Sequence, residues 1–219
     1  MDAKAWPQYG QGNVGSISVG DINQDGREEV LAPTISEDGG PSGINAFGRT
    51  GQLPGWPVLS GEEFLDAPAL GDIDRDGFLE VAVITEPGPN EINNDSIYII
   101  NHRGQVLPGW PQVIPQYDQA TVRLADINHD NLPDIIVSAG GIHPDFVHNN
   151  NRQNLGGLLA WNGNGAPIDL NPSDLQSNAL IEELRPSGSS PIITDLDNNG
   201  KIDLIAMTRD NFTVCPQWD

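Results

Sequence analysis

The sequence has few of the residues on which several classes of proteins depend. It has one cysteine, Cys215, among 219 residues, so an internal disulfide is excluded. Only 10 side chains are Lys or Arg against 31 Asp or Glu, which gives a formal net charge of −21. A chain this acidic lacks the cations that displace counterions from nucleic acid or hold an anionic membrane surface. We therefore expect no nucleic acid among its partners.

Long hydrophobic runs are also absent from the sequence. No apolar stretch approaches the roughly 18 residues of a membrane-spanning helix. The N-terminal residues, which include Asp2, Lys4 and Trp6, do not form a secretory signal. We therefore expect no membrane insertion, and any export signal would lie outside this sequence. The 25 glycines and 18 prolines that are present indicate many turns between short strands.

Four segments repeat one acidic pattern. In each segment, oxygen-bearing side chains stand at positions 1, 3, 5 and 9 of a loop, and successive loops begin 51, 54 and 69 residues apart. A period of about 50 residues is typical of propellers, solenoids and arrays. The side chains at these positions are Asp21, Asn23, Asp25 and Glu29; Asp72, Asp74, Asp76 and Glu80; Asp126, Asn128, Asp130 and Asp134; and Asp195, Asp197, Asn199 and Asp203.

This pattern predicts four calcium sites. Calcium takes six to eight oxygen ligands at about 2.3–2.6 Å, and alternate residues of a tight loop can turn their oxygens inward. Magnesium fits less well, because it demands stricter octahedral geometry. Position 6 is glycine in the first, second and fourth copies and Asn131 in the third. A backbone reversal with positive φ favours these two residue types. Position 7 would contribute only its carbonyl oxygen, from Arg27, Phe78, Leu132 and Lys201.

An EF-hand or a dockerin is excluded by the residues after each loop. Both need an acid at position 12 and a helix leaving the loop. Here position 12 is Ala32, Val83, Val137 or Ala206, and each loop runs into a short β-branched segment. Such segments are typical of buried strands, so we expect each loop to join two strands.

The rest of the repeat is clearest in the second copy, which predicts four antiparallel strands. The phrase Leu-Pro-Gly-Trp-Pro recurs at 53–57 and 107–111, and Trp56 and Trp110 are expected to pack rather than to bind sugars. Residues 62–64 would lie between the first two repeats. The predicted strands of the second copy are 67–71, 80–85, 97–100 and 106–111; the third strand recurs at 44–47, 158–161 and 212–215.

These features resemble the FG-GAP/VCBS repeats, the calcium-loop repeats of integrin α-chain heads and of many bacterial secreted proteins. The resemblance rests on the four acidic loops, the strand of small residues before them and the Gly-Trp-Pro phrase. The departures are Asn131 for Gly, Asn199 for Asp, and an outer strand at 166–169 without Trp-Pro.

The resemblance implies an all-β fold of β-propeller blades, each with four antiparallel strands. We expect a single domain, 1–219, of four repeats at about 8–57, 58–111, 112–170 and 171–219, with 1–7 completing the last blade. Propellers of this family usually have about seven blades. Three arrangements therefore stay open: a closed ring of four blades, a half-ring completed by self-association with a second copy, and a fragment of a longer propeller.

The resemblance also implies a calcium-stabilised module for adhesion, with a protein or glycan as its ligand. Calcium at four sites would change the net charge from −21 to −13, and millimolar extracellular calcium suits such loops. We therefore expect an extracellular or cell-surface location. Candidate ligand-binding residues lie in the long loop 139–156: His143, Asp145, Phe146 and His148.

No residue of the sequence is predicted to be catalytic. His143 and His148 match no metal motif, and no nucleophile or carboxylate pair is positioned by a local signature. Cys215 is expected to be a small buried hydrophobe. Two alternatives stay open beside the adhesion module: part of a propeller-fold enzyme such as a polysaccharide lyase, and a purely structural appendage of a larger exported protein.

Overall fold

The described strands of this protein form four antiparallel sheets. The computed structural model describes residues 13–35, 43–58, 63–64, 67–86, 95–114, 119–140, 157–168, 179–181, 190–196, 198–200, 202–207 and 212–215. No α-helix occurs among these residues, and the all-β prediction is confirmed for them. The chain divides into two units, Met1–Val113 and Ile114–Asp219, each of which contains two sheets.

The first sheet is built around a strand that starts at a loop acid and is rich in apolar residues. One edge is a strand in two pieces, both of which pair with that central strand, and the other edge is formed by the next two strands in sequence. The strands are β1 (Asn13–Val14), β2 (Ser18–Gly20), β3 (Glu29–Ile35), β4 (Gly43–Gly48) and β5 (Gly51–Gln52).

The second sheet repeats this arrangement. Its central strand is buried on both faces, with Val81, Ala82 and Val83 at 0–2% exposure, as a continuous β-branched run predicts. The strands are β6 (Glu63–Phe64), β7 (Ala69–Gly71), β8 (Glu80–Glu86), β9 (Asp95–Ile100) and β10 (Gln112–Ile114).

The third and fourth sheets follow the same order. In the third sheet the first strand is continuous and pairs along its whole length with the second. Its last strand, 179–181, lies beyond residue 170, where the third repeat was expected to end. The strands are β11 (Gln119–Ala125), β12 (Asp134–Gly140), β13 (Gly157–Trp161) and β14 (Ala179–Ile181) in the third sheet, and β15 (Ile192–Thr194), β16 (Asp203–Met207) and β17 (Phe212–Cys215) in the fourth.

Each unit has its own hydrophobic core between its two sheets. In the first unit, Ile22, Leu31 and Ile44 of the first sheet pack with Val81 and Ile100 of the second. In the second unit, residues of the third sheet pack with Leu204 of the fourth. Trp56 and Trp110 are 6% and 8% exposed, as expected for packing residues.

The prediction for the region before the second repeat was wrong. Residues 62–64 were expected to connect two repeats, but Glu63 and Phe64 form β6 and pair with Glu86 and Thr85 of β8. Phe64 is 1% exposed and belongs to the first core. A two-residue strand is too short for an alternation pattern to reveal it.

The predicted strand at 106–111 is also wrong. Val106 makes only an isolated bridge to Ile100, and the next paired segment is β10. Between them the Trp110 amide donates to the Leu107 carbonyl at 3.2 Å, and Gly109 has φ 91°. Pro followed by a glycine with positive φ is the pattern of a type II turn, so the recurring phrase divides the outer strand.

The same type of turn occurs in the first sheet, where it contacts the hairpin turn after β9 of the second sheet. The Trp56 amide donates to the Leu53 carbonyl at 3.3 Å, and Gly55 has φ 88°. A Cβ on Gly55 would lie 2.1 Å from the Arg103 carbonyl oxygen, and the Trp56 indole Nε1 donates to the His102 carbonyl at 3.3 Å. Glycine is therefore required here by both its φ and its neighbour.

We predict that Gly55→Ala destabilises the protein by at least about 2 kcal/mol, because it combines a strained φ with a backbone clash. Chemical denaturation checks this. Gly51→Ala is the matched control, since Gly51 also has positive φ (130°) but a Cβ there would meet nothing within 4 Å. Equal destabilisation by the two variants would contradict the close contact between Gly55 and the Arg103 carbonyl.

Candidate metal centre

Each acidic loop joins two antiparallel strands, as predicted. The residue before position 1 pairs with position 9 in all four copies, so the loops share one register. These pairs are Gly20 with Glu29, Gly71 with Glu80, Ala125 with Asp134, and Thr194 with Asp203. Position 9 is in every case the first residue of the strand after the loop.

The position-9 carboxylate is buried beneath its own loop. Glu29, Glu80, Asp134 and Asp203 are 0–4% exposed. In every copy this carboxylate accepts a hydrogen bond from the position-2 amide: Ile22 at 3.2 Å, Ile73 at 2.8 Å, Ile127 at 2.9 Å and Leu196 at 2.8 Å. The position-9 carboxylate therefore holds the loop backbone by a hydrogen bond, whether or not it also binds a metal.

Position 1 organises the other end of the loop in three copies. The Asp21 carboxylate accepts from the amides of Asp25 and Gly26, at 3.1 and 2.9 Å. Asp126 accepts from positions 5 and 6 at 3.0 and 2.8 Å, and so does Asp195, at the same distances. In these three copies the position-1 carboxylate therefore holds the turn at positions 5 and 6.

The backbone of the loop turns twice through the left-handed region. The predicted positive φ at position 6 is confirmed at Gly26, Gly77, Asn131 and Gly200, with values of 65–90°. Position 4 has positive φ as well, a feature that the sequence did not predict: Gln24, Arg75, His129 and Asn198 have φ of 57–62°. The available signal was weak, namely that none of these four residues is β-branched.

The second loop differs from the others and is the best-formed candidate site. Ligand atoms of Asp72, Asp74 and Glu80 lie within 4.8 Å of one another. Within the described part of the chain, Asp72 Oδ1 and Glu80 Oε1 are buried and have no hydrogen-bond partner. A buried oxygen without a donor is costly unless a cation or a water satisfies it.

The electrostatics of the loops point the same way. Burial raises the pKa of Glu80 to about 7, and the charges of Asp74 and Asp76 add to this against the lowering effect of the Ile73 amide. Burial likewise raises the pKa of Asp134 to about 6, and burial together with the charge of Asp25 raises the pKa of Glu29. These carboxylates resist ionisation where no positive charge is near them.

The residues present fit a hard divalent cation. Carboxylate and amide oxygens at positions 1, 3, 5 and 9 are the ligands calcium prefers, and its charge would offset both the burial and the repulsion that raise these pKa values. In the fourth loop, Asp197 and Lys201 lie outside the described residues. The individual ligand assignments, including the position-7 carbonyls, stay predictions.

The candidate ligand-binding residues His143, Asp145, Phe146 and His148 all lie outside the described residues.

His102, in the hairpin turn that follows β9, contacts the second loop. Its ring stacks on Phe78 at position 7 of that loop, with centroids 4.0 Å apart and planes inclined by 21°.

Comparison with known proteins agrees with this geometry. Residues 72–137 match the family described as FG-GAP-like repeat, and this stretch holds the second and third acidic loops. The resemblance that the four loops indicate is confirmed for residues 72–137, and this match supports a β-propeller-like fold.

Two relatives extend the comparison to most of the chain. It is 25% identical over 225 residues to integrin alpha-8 of Gallus gallus, which covers 91% of this chain and 20% of that protein. It is also similar in structure to the V. cholerae biofilm matrix protein Bap1, with a TM-score of 0.51 and 17% identity, over 98% of this chain and 32% of that one. The chain thus spans about a fifth and about a third of these proteins, and the likeness to Bap1 concerns the fold alone.

The described residues include no helix long and apolar enough to cross a membrane.

We predict that the metal-free protein becomes more stable as the pH falls from about 7 toward 4.5, the range between the raised and the ordinary pKa of Glu80. In this range the folded state binds more protons than the unfolded state, so the free energy of unfolding decreases as the pH rises. Calcium should reverse the trend, because protons compete with it for the same carboxylates. Melting temperatures of calcium-stripped and calcium-saturated protein across this range check both statements.

Glu80→Gln should flatten the metal-free profile, because the amide has no proton to gain. Glu28→Gln is the control: it removes one charge from an exposed side chain at position 8 of the first loop, which is not a predicted ligand position. Comparing these two variants separates the effect of protonating the buried carboxylate from the effect of the general decrease in net charge on acidification. A metal-free melting temperature that falls throughout the range would contradict the electrostatic argument.

Proposed function

We propose that this chain is a calcium-stabilised, non-enzymatic β-propeller module that mediates adhesion outside the cell. The second loop carries the calcium part of the proposal. There, two buried oxygens, Asp72 Oδ1 and Glu80 Oε1, lack a hydrogen-bond partner among the described residues, and they belong to a cluster of three acids. The other loops repeat its register, so we propose one calcium ion in each of the four.

Calcium in this proposal is structural. The position-9 carboxylate begins a core strand, and the neighbouring position-2 side chain is buried at Ile22, Ile73 and Ile127. Neutralising the loop therefore favours the same strands that form the core. Binding free energy becomes folding free energy, because the unfolded chain offers no preformed site.

The adhesion part rests on the relative that is named an integrin. The chain is non-enzymatic in this proposal because no local signature of its sequence positions a nucleophile or a carboxylate pair. Weak calcium loops fill at the millimolar concentrations found outside cells, which supports an extracellular or cell-surface location. The ligand in this proposal is a protein or a glycan.

We predict that calcium raises the melting temperature and that a chelator lowers it. For a loop at a hundredfold excess of calcium over its dissociation constant, the stabilisation is about 2.7 kcal/mol. Asp74→Ala should remove about that amount of calcium-dependent stability. His143→Ala, which removes no predicted calcium ligand, should change the calcium-dependent stability by no more than about 0.5 kcal/mol.

Denaturation with calcium and with EDTA measures these differences. Glu80→Gln provides a second test, since it should lose calcium-dependent stability while remaining folded without metal. Identical curves with and without calcium in the wild type would overturn the proposed role of the metal.

The adhesion role is tested separately with calcium-loaded protein on a glycan array and in pull-downs from extracellular matrix. Specific binding supports it. Turnover of an acidic polysaccharide that His143→Ala abolishes would instead make the chain part of a lyase. Calcium stabilisation without binding or turnover would leave a structural appendage.

A further inference from the structure

Two sheet faces at opposite ends of the chain expose apolar side chains. Among the described residues, six large hydrophobic side chains are more than about a third exposed, and four of them lie on the first and fourth sheets. Ile17 and Val19 are 54% and 50% exposed on the first sheet. Ile192 and Leu196 are 59% and 56% exposed on the fourth.

The shared register identifies what these positions do in the other sheets. Gly20 pairs with Glu29 at position 9 of the first loop, and Thr194 pairs with Asp203 at position 9 of the fourth. Counting from these pairs, Leu196 corresponds to Ile22 and Ile192 corresponds to Ser18. We call Ile192 and Leu196 the trailing face.

In the first unit, the positions of the trailing face contact the following sheet. Ile22 is fully buried and shares a core with Leu70 and Val81 of the second sheet. The Ser18 hydroxyl donates to the Pro68 carbonyl. Ile22 and Ser18 thus mark the side of the first sheet that the second sheet covers.

The second unit repeats this contact with different residues. Ile127, at position 2 of the third loop, is 4% exposed and shares a core with Leu204 and Ile193 of the fourth sheet. Ile193 corresponds by register to Leu70, and Leu204 corresponds to Val81. Both units therefore use one interface: a position-2 side chain against two apolar residues of the next sheet.

The first sheet presents the receiving half of that interface. By the same register, Val19 and Val30 correspond to Leu70 and Val81, and Ile17 corresponds to Pro68. These residues lie on the side turned away from the second sheet, because a Cβ on the neighbouring Gly20 would lie 2.7 Å from Leu70 Cδ1. We call Ile17, Val19 and Val30 the leading face.

We propose that the leading face of one copy of this chain stacks on the trailing face of a second copy. Leu196 would then pack against Val19 and Val30, as the equivalent position-2 residues pack within each unit. Ile192 would lie against Ile17, as Ser18 contacts Pro68 in the first unit. The two faces are different surfaces, so the contact is heterologous and produces either a closed ring of copies or an open chain. This inference rests on the sheet register and not on the proposed calcium function.

The net charge sets the conditions under which the contact forms. Two copies at −21 repel each other, and salt screens this repulsion over about 8 Å at physiological ionic strength. Association should therefore strengthen as salt is raised, as expected for an apolar contact between like-charged molecules.

Sedimentation equilibrium of the full chain in salt and calcium tests the proposal. We expect a mass that rises with concentration from the 23.5 kDa of one chain. Val19→Lys and Ile192→Lys should each abolish the rise. Both positions are half exposed in the single chain, so the lysine can keep its charge in water without unfolding it.

Mixing the two variants gives the decisive result. Each keeps the face that the other has lost, so the mixture should form a pair of twice the single-chain mass and no larger species. Val113→Lys is the matched control, since Val113 is 55% exposed but lies on neither face. A wild type that stays monomeric at every concentration would overturn the proposal, and so would variants that associate as strongly as the control.

Discussion

A buried carboxylate at the start of a core strand is the constraint on which this structure depends. In all four loops the position-9 acid lies beneath the loop and accepts the amide of position 2. That bond fixes where the loop begins and ends, but it does not neutralise the charge. The chain has only 10 basic side chains for 31 acids, and in the proposed function calcium from solution supplies positive charge to the loops.

The loop and the core are linked through adjacent atoms. The amide that binds the acid belongs to the residue whose side chain enters the contact between neighbouring sheets, as at Ile22 and Ile127. A change of charge in the loop therefore acts on sheet packing without any long-range mechanism. It also explains why an apolar residue stands at position 2 of the first three loops, where a solvated acidic turn would not need one.

Much of the fold and of the candidate metal site could be predicted from the sequence, because the strongest sequence patterns occur four times. The four loops, the strands after them and the third strands at 44–47, 97–100, 158–161 and 212–215 all lie within the observed elements. Repetition made each weak local signal strong. The left-handed φ at position 4 was missed because four unrelated residue types occupy it and none indicates the conformation.

The other errors concern one core contact, which no local pattern encodes, and one turn, which Pro-Gly does indicate. Phe64 was assigned to a connection, although it is a core residue of the first unit. The Leu-Pro-Gly-Trp-Pro phrase was assigned to a strand, although Pro-Gly there forms a turn that places a tryptophan inside. The stacking of His102 on Phe78 joins residues 24 positions apart and depends on the fold already being formed.

The number of calcium ions bound by the folded chain tests the central claim most directly. Native mass spectrometry after exchange into calcium-containing volatile buffer measures it without reference to stability or ligand. We expect four ions for each chain, and one fewer in Asp74→Ala. A folded chain that binds none at saturating calcium would contradict the account, because the buried acids would then be neutralised in some other way.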